Sequence, residues 1–136
     1  METFSRETLH PWFVTGFADG HGSFTFSRSS KQLSLYFAIK LTTTDRSTLK
    51  AIQGFFGGIG RIYEVGSSAV LFRVTRIAEL VQVVAHFDAY PLHTHKHDVY
   101  RVWRDMVGLK RNFRGATRAS LESLANELSA RTSRTP

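Results

Sequence analysis

Apolar positions recur along this chain with two periods that take turns. Over residues 9–19 the spacing is helical: Trp12, Phe13, Phe17 and Ala18 offer apolar contacts, Pro11 suits a first turn, and Gly20 and Gly22 end the run. From 23 to 27 the period drops to two, with Phe24 and Phe26 on one face and Thr25 and Ser27 on the other. It stays at two over 33–43, where Leu33, Leu35, Phe37, Ile39 and Leu41 share a side, and the polar stretch 29–32 joins both strands into a hairpin. Asp45 or Ser47 can cap a second helix that carries Leu49, Ile52 and Phe56 inward before Gly57, Gly58 and Gly60 break it. Segments 61–65 and 70–75 form a second hairpin around Gly66, Ser67 and Ser68. An apolar helix follows over 77–87, then Pro91, then a helix over 95–108 with Val99, Val102, Trp103 and Met106 inward. A basic linker, 110–115, leads to a last amphipathic helix over 117–130 with Leu121, Leu124, Ala125 and Leu128 on one face.

A helix-and-hairpin unit is thus used twice. This predicts an α+β domain of order αββαββα, an antiparallel saddle-shaped sheet with helices packed on one face, and an appended C-terminal helix. The expected boundaries are an N-terminal extension at 1–8, the domain at 9–109, and the basic linker, helix and tail at 110–136. The uncovered sheet face would carry Thr25, Ser27, Ser34, Tyr36, Lys40, Thr42, Arg61, Tyr63, Arg73 and Thr75. That mixture of polar, basic and aromatic side chains suits a nucleic-acid groove or an RNA surface.

Charge strengthens this expectation. The 136 residues carry a formal net charge of +7, and thirteen of the 18 basic residues are arginine, the side chain that forks onto phosphate and stacks on bases. There is no cysteine, which excludes disulfides, thiol catalysis and thiolate-bound zinc. No apolar run approaches a membrane span, so no membrane partner is expected. Glu2 and Glu7 argue against a signal or transit peptide at this start. No glycine-rich loop has Walker or Rossmann spacing. His93, His95 and His97 alternate after Pro91, but without a carboxylate pattern they read as a solvated or phosphate-facing turn.

The segment Val14-Thr15-Gly16-Phe17-Ala18-Asp19-Gly20-His21-Gly22, followed by Ser23-Phe24, resembles the motif of the LAGLIDADG homing endonucleases, in its single-motif form. Two further landmarks lie in order: the stretch 49–60, ending Phe-Phe-Gly-Gly-Ile-Gly, is similar to the family's second helix and third strand, and His86-Phe87-Asp88-Ala89-Tyr90-Pro91-Leu92 is similar to the segment "HFDKYPL" of single-motif members. The resemblance covers about residues 9–130. It implies that Thr15, Gly16, Asp19 and Gly20 line a stripe where two copies of the motif helix pack, hence a homodimer or another protein partner. It also implies a divalent metal held by the acidic residue just before the last glycine, since Mg²⁺ takes hard oxygen donors beside phosphate.

In this chain that position is His21. Imidazole brings no negative charge and suits zinc, copper or nickel better than magnesium. Asp19 matches the motif's other aspartate, Lys96 matches the family's basic residue after the third helix with His95 as its fallback, and Leu41 falls where a polar side chain often stands. The substitution implies loss of cleavage with retention of binding, so no cofactor is expected, and Mg²⁺ only if the chain is active. The binding set is then Arg28, Lys31, Tyr36, Lys40, Thr42, Arg61, Tyr63, Arg73, Arg76, Lys96, Lys110, Arg111 and Arg114. RNA and double-stranded DNA both remain as partners, the former because some members are maturases and because a role on an organellar ribosome fits a lost metal site. Rival expectations are an active homodimeric endonuclease and a protein-interaction module that uses the motif helix. The resemblance also implies an organelle, mitochondrion or chloroplast, as the site of action.

Overall fold

The computed structural model describes residues 9–30, 32–112 and 117–133. Helix α1 (Pro11–His21) runs straight into β1 (Gly22–Ser29), which pairs with β2 (Gln32–Thr42). A 3-10 turn (Thr43–Asp45) leads to α2 (Arg46–Phe55), then β3 (Arg61–Val65), β4 (Ala69–Val74), α3 (Ile77–Ala89), α4 (Lys96–Arg111) and α5 (Thr117–Thr132). All pairings are antiparallel and the strand order is β1-β2-β4-β3, so the two hairpins join through β2 and β4. The expected α+β class and the αββαββα order are present, with α5 packed along α4.

Several boundaries differ for physical reasons. Gly20 does not end α1; the helix continues to His21, and Gly22 makes the turn. A Cβ on Gly22 would lie 2.9 Å from the Ala18 carbonyl oxygen, so only glycine lets the helix pass into a strand without a connecting loop. The helix start is capped by His10, whose Nδ1 accepts the Trp12 N–H. Asp45 stands at the start of α2 but makes no side-chain cap there. Helix α4 extends through Lys110 and Arg111, which therefore close a helix instead of opening a linker.

The inner face of the sheet is as the alternation predicts. Phe24, Leu33, Leu35, Phe37, Ile39, Val70, Phe72 and Val74 are buried beneath Leu49 and Ile52 of α2, Leu80, Val83 and Phe87 of α3, and Tyr100, Trp103 and Met106 of α4. Trp103 is fully buried and donates its indole N–H to the Thr25 carbonyl, which ties α4 to the edge strand β1. Leu121, Ala125 and Leu128 of α5 complete the same core.

One polar group is buried inside this layer. Thr15 donates its hydroxyl to the Tyr90 carbonyl at 2.8 Å and lies 3.0 Å from His86 Nε2. With its one proton committed, Thr15 can only accept from the histidine, so His86 carries its proton on Nε2. Phe55, Phe56, Phe87 and Tyr90 surround that ring. Burial pushes the His86 pKa down to about 4.

Candidate nucleic-acid interface

With all helices on one side, the opposite sheet face stays open. The register sets Thr25 opposite Tyr36, Ala38 opposite Arg73, and Arg73 opposite Arg61. Lys40, Thr42, Arg61 and Tyr63 are exposed on this face, while Tyr36 and Arg73 are half-buried because they cover one another. The Arg73 guanidinium carbon lies 3.8 Å from the Tyr36 ring centroid, a cation–π stack that fixes the plane of the fork. Arg76 follows at the start of α3 and is exposed as well. These residues share one face of the sheet with the apolar Ala38 and Leu71, which lie opposite Arg73 and between Lys40 and Tyr63.

Other expected contact residues are placed elsewhere. Arg28 shares the parity of Phe24 and Phe26, so it points to the helical side. There it forms a two-pronged pair with Glu122 of α5, at 2.8 and 2.7 Å. Lys110 donates its amino group to the Leu33 carbonyl at 2.8 Å, and Arg111 is exposed at the end of α4 in the helical layer. Arg28 and Lys110 therefore fasten elements together. Their partners, 94 and 77 residues away in sequence, give no local signal, but the alternation with Phe24 and Phe26 does reveal the side on which Arg28 lies. Lys31 and Arg114 lie outside the described residues.

At the end of α1, three of the singled-out residues meet. The Asp19 carboxylate accepts from the His93 N–H (2.7 Å), the Thr94 hydroxyl (2.7 Å) and the Thr94 N–H (3.3 Å). The Lys96 ammonium donates to the carbonyls of Gly22 (2.6 Å) and Ala18 (3.3 Å), the latter also accepting the Gly22 N–H, at the negative end of the helix dipole. Partial burial lowers the Lys96 pKa, and Asp19 opposes this. His21 is exposed and its ring lies tilted against Phe17, with ring centroids 4.7 Å apart. Leu41 faces the core, whereas its neighbours Lys40 and Thr42 lie on the open face. Of the alternating histidines, His93 lies beside Trp12 and His95 donates to the Arg131 carbonyl.

The four residues expected on the helix stripe divide into two pairs. Thr15 and Asp19 are committed within the protomer, Thr15 to His86 and Tyr90, Asp19 to residues 93 and 94. Gly16 and Gly20 face outward, and a Cβ at either would meet nothing within 4 Å. Trp12 and Phe13, expected to offer apolar contacts, are 44% and 45% exposed, Trp12 against Tyr90 and Phe13 stacked on Phe17 beside the glycine notch. The signal for this was in the spacing: Val14, Thr15 and Ala18 occupy the opposite arc of the helix and take the buried positions.

The sequence profile of the family described as LAGLIDADG endonuclease matches residues 14–107. The chain belongs to that family. A protein of Podospora anserina, described as an uncharacterized 50.9 kDa protein in ND4 intron 1, is 35% identical over 119 residues, which is 81% of this chain and 26% of that protein. Among solved structures, the LAGLIDADG meganuclease I-AabMI bound to uncleaved DNA is 30% identical with a TM-score of 0.81, covering 86% of this chain and 44% of the other. The I-SmaMI LAGLIDADG homing endonuclease bound to cleaved DNA is 26% identical with a TM-score of 0.81, covering 95% of this chain and 50% of the other. This chain spans about a quarter of the length of the curated relatives it matches, and half or less of these solved neighbours.

Within a LAGLIDADG motif, the end of α1 is where a divalent metal would be held, and the donor set here does not fit one. His21 offers a nitrogen without negative charge, and the Asp19 carboxylate is taken up by three hydrogen bonds. Among the described residues, no cluster of three or more histidine, aspartate or glutamate side chains could ligate a metal. A Mg²⁺ ion requires several oxygen donors in near-octahedral array, with anionic ones to offset its charge.

Proposed function

We propose that this chain is a LAGLIDADG-family domain that holds duplex DNA on its open sheet face and does not cut it. The observation that carries the reading is His21 at the motif's acid position, beside an Asp19 that is already occupied. The binding half of the proposal draws on the row Tyr36, Lys40, Thr42, Arg61, Tyr63 and Arg73, which keeps its charge while Arg28 and Lys110 are spent on the scaffold. The I-AabMI and I-SmaMI structures contain DNA, which favours DNA over RNA as the partner. The notch at Gly16 and Gly20, flanked by Phe13 and Phe17, is suited to a second motif helix. That helix would come from another copy or from a longer protein of which this chain is one half. An organellar setting draws support from the Podospora relative, described as a protein in ND4 intron 1.

A second reading, an active nuclease, draws support from the I-SmaMI complex with cleaved DNA. One assay separates the two. The unmodified chain and the His21→Asp variant are incubated with Mg²⁺ or Mn²⁺ and a library of duplex targets. Retention of duplex with no strand breaks is expected for the unmodified chain. Cutting by it refutes the proposal. Preferential retention of a competing RNA would move the partner from DNA to RNA.

A further inference from the structure

At the open base of the second hairpin, where β3 begins and β4 ends, a cavity of about 400 Å³ is lined by Gly60, Arg61, Tyr63, Arg73, Thr75, Arg76 and Glu79. Three arginines thus line one small space. Arg61 opens β3, Arg73 is its register partner on β4, and Arg76 immediately precedes α3. Like charges directly opposite on a sheet repel, and no ion pair reaches any of the three among the described residues. Glu79 supplies one negative charge, but one of its oxygens accepts the Gly60 N–H at 3.1 Å. The lining therefore keeps a surplus of two positive charges.

The cavity is also shaped. Gly60 has φ +72°, and a Cβ there would fall 2.7 Å from the Arg73 carbonyl oxygen, so glycine alone brings this corner of backbone against β4. Arg73 is held by its stack on Tyr36. Its Nε–H is shielded from solvent and meets no acceptor among the described residues. A fixed fork, two more arginines and a buried donor give this lining the charge and the N–H groups that an oxyanion requires.

We propose that this cavity is a phosphate-binding pocket, which on the nucleic-acid reading above receives a single backbone phosphate of the bound strand. The ligand chemistry is a tetrahedral phosphate oxyanion, and the pocket takes it without regard to base. Its role would be to fix the strand at the far end of the sheet, so that Tyr36, Lys40 and Thr42 meet base edges in constant register.

The test has two arms on the full chain. In the first, inorganic phosphate is titrated calorimetrically against a chloride background of constant ionic strength. Saturable binding of one equivalent is expected. Arg76→Gln and Arg61→Gln should each weaken it about tenfold. Glu79→Gln should tighten it severalfold, because the amide oxygen still accepts the Gly60 N–H while the negative charge is gone. Lys50→Gln, which removes an exposed cation on α2, should leave it unchanged. No saturable binding, or equal weakening by Lys50→Gln and Arg76→Gln, overturns the pocket. In the second arm, retention of a duplex oligonucleotide is measured against salt. The Arg61→Gln/Arg76→Gln pair should reduce the slope of log affinity against log salt by about 1, the loss of one phosphate contact. An unchanged slope with duplex still retained overturns the pocket alone. Phosphate binding without duplex retention supports the pocket and refutes the nucleic-acid reading.

Discussion

His86 should make this fold sensitive to mild acid, and the size of the effect can be worked from its surroundings. Its ring is boxed by four aromatic side chains, and its Nε2–H is spent on Thr15, whose own proton goes to the Tyr90 carbonyl. Protonation would add a charge in this apolar box, which is why the pKa falls from 6.5 to about 4. Above about pH 6.5 the folded and unfolded chains both hold this histidine neutral, and stability does not depend on it. Between about 6.5 and 4 the unfolded chain takes up a proton that the folded chain refuses, so stability falls as pH falls. The full shift would correspond to about 3.4 kcal/mol at 1.36 kcal/mol per unit, and because the ring is only partly buried, roughly 1–2 kcal/mol is expected after screening. The comparison is with His86→Gln, whose amide N–H can still reach Thr15 but does not titrate. In chemical denaturation at pH 7 the wild-type chain should be the more stable. By pH 4 the gap should close by roughly 1–2 kcal/mol, or about 3–7 °C in melting temperature. A gap that stays constant from pH 7 to pH 4 would refute the account of His86 as a buried neutral donor.

Three further outcomes are expected. Trp103→Ala should cost about 3–5 kcal/mol in urea unfolding, since it removes a fully buried indole and leaves the Thr25 carbonyl without its donor. Gly22→Ala should destabilise by about 1–3 kcal/mol, because the new methyl meets the Ala18 backbone at the helix-to-strand passage. Gly16→Ala should act in the opposite direction, stabilising the protomer by up to about 1 kcal/mol because its Cβ meets open space inside a helix. The same change should reduce any self-association in sedimentation experiments, since it fills the notch.

The open sheet face was legible from alternation alone, because a strand with one buried side has no freedom to exchange its faces. Tyr36, Lys40, Arg61 and Arg73 emerge on it as the period of two requires. Local pattern could not reveal which charges are already paired. Asp19, Lys96 and Lys110 each find their partners 74 or more residues away, in a loop, a helix end and a strand start that only tertiary packing brings near. Thr15 failed for a related reason. A small polar residue in a glycine-containing motif suggests a contact surface, yet Thr15 can be buried when distant acceptors and donors satisfy it. His86 lay within a recognised segment, but spacing carries no sign that its ring closes on the motif helix.

The fork between Arg28 and Glu122 bears on how this protein can diversify. The tip of the first hairpin is attached to the last described helix, which Leu121, Ala125 and Leu128 anchor to α4. The two segments are therefore coupled: a recombinant that takes the hairpin from one relative and the C-terminal helix from another parts an arginine from its carboxylate. New target preferences would then be easier to acquire on β3 and β4, where Arg61 and Tyr63 are not tied to the appended helix.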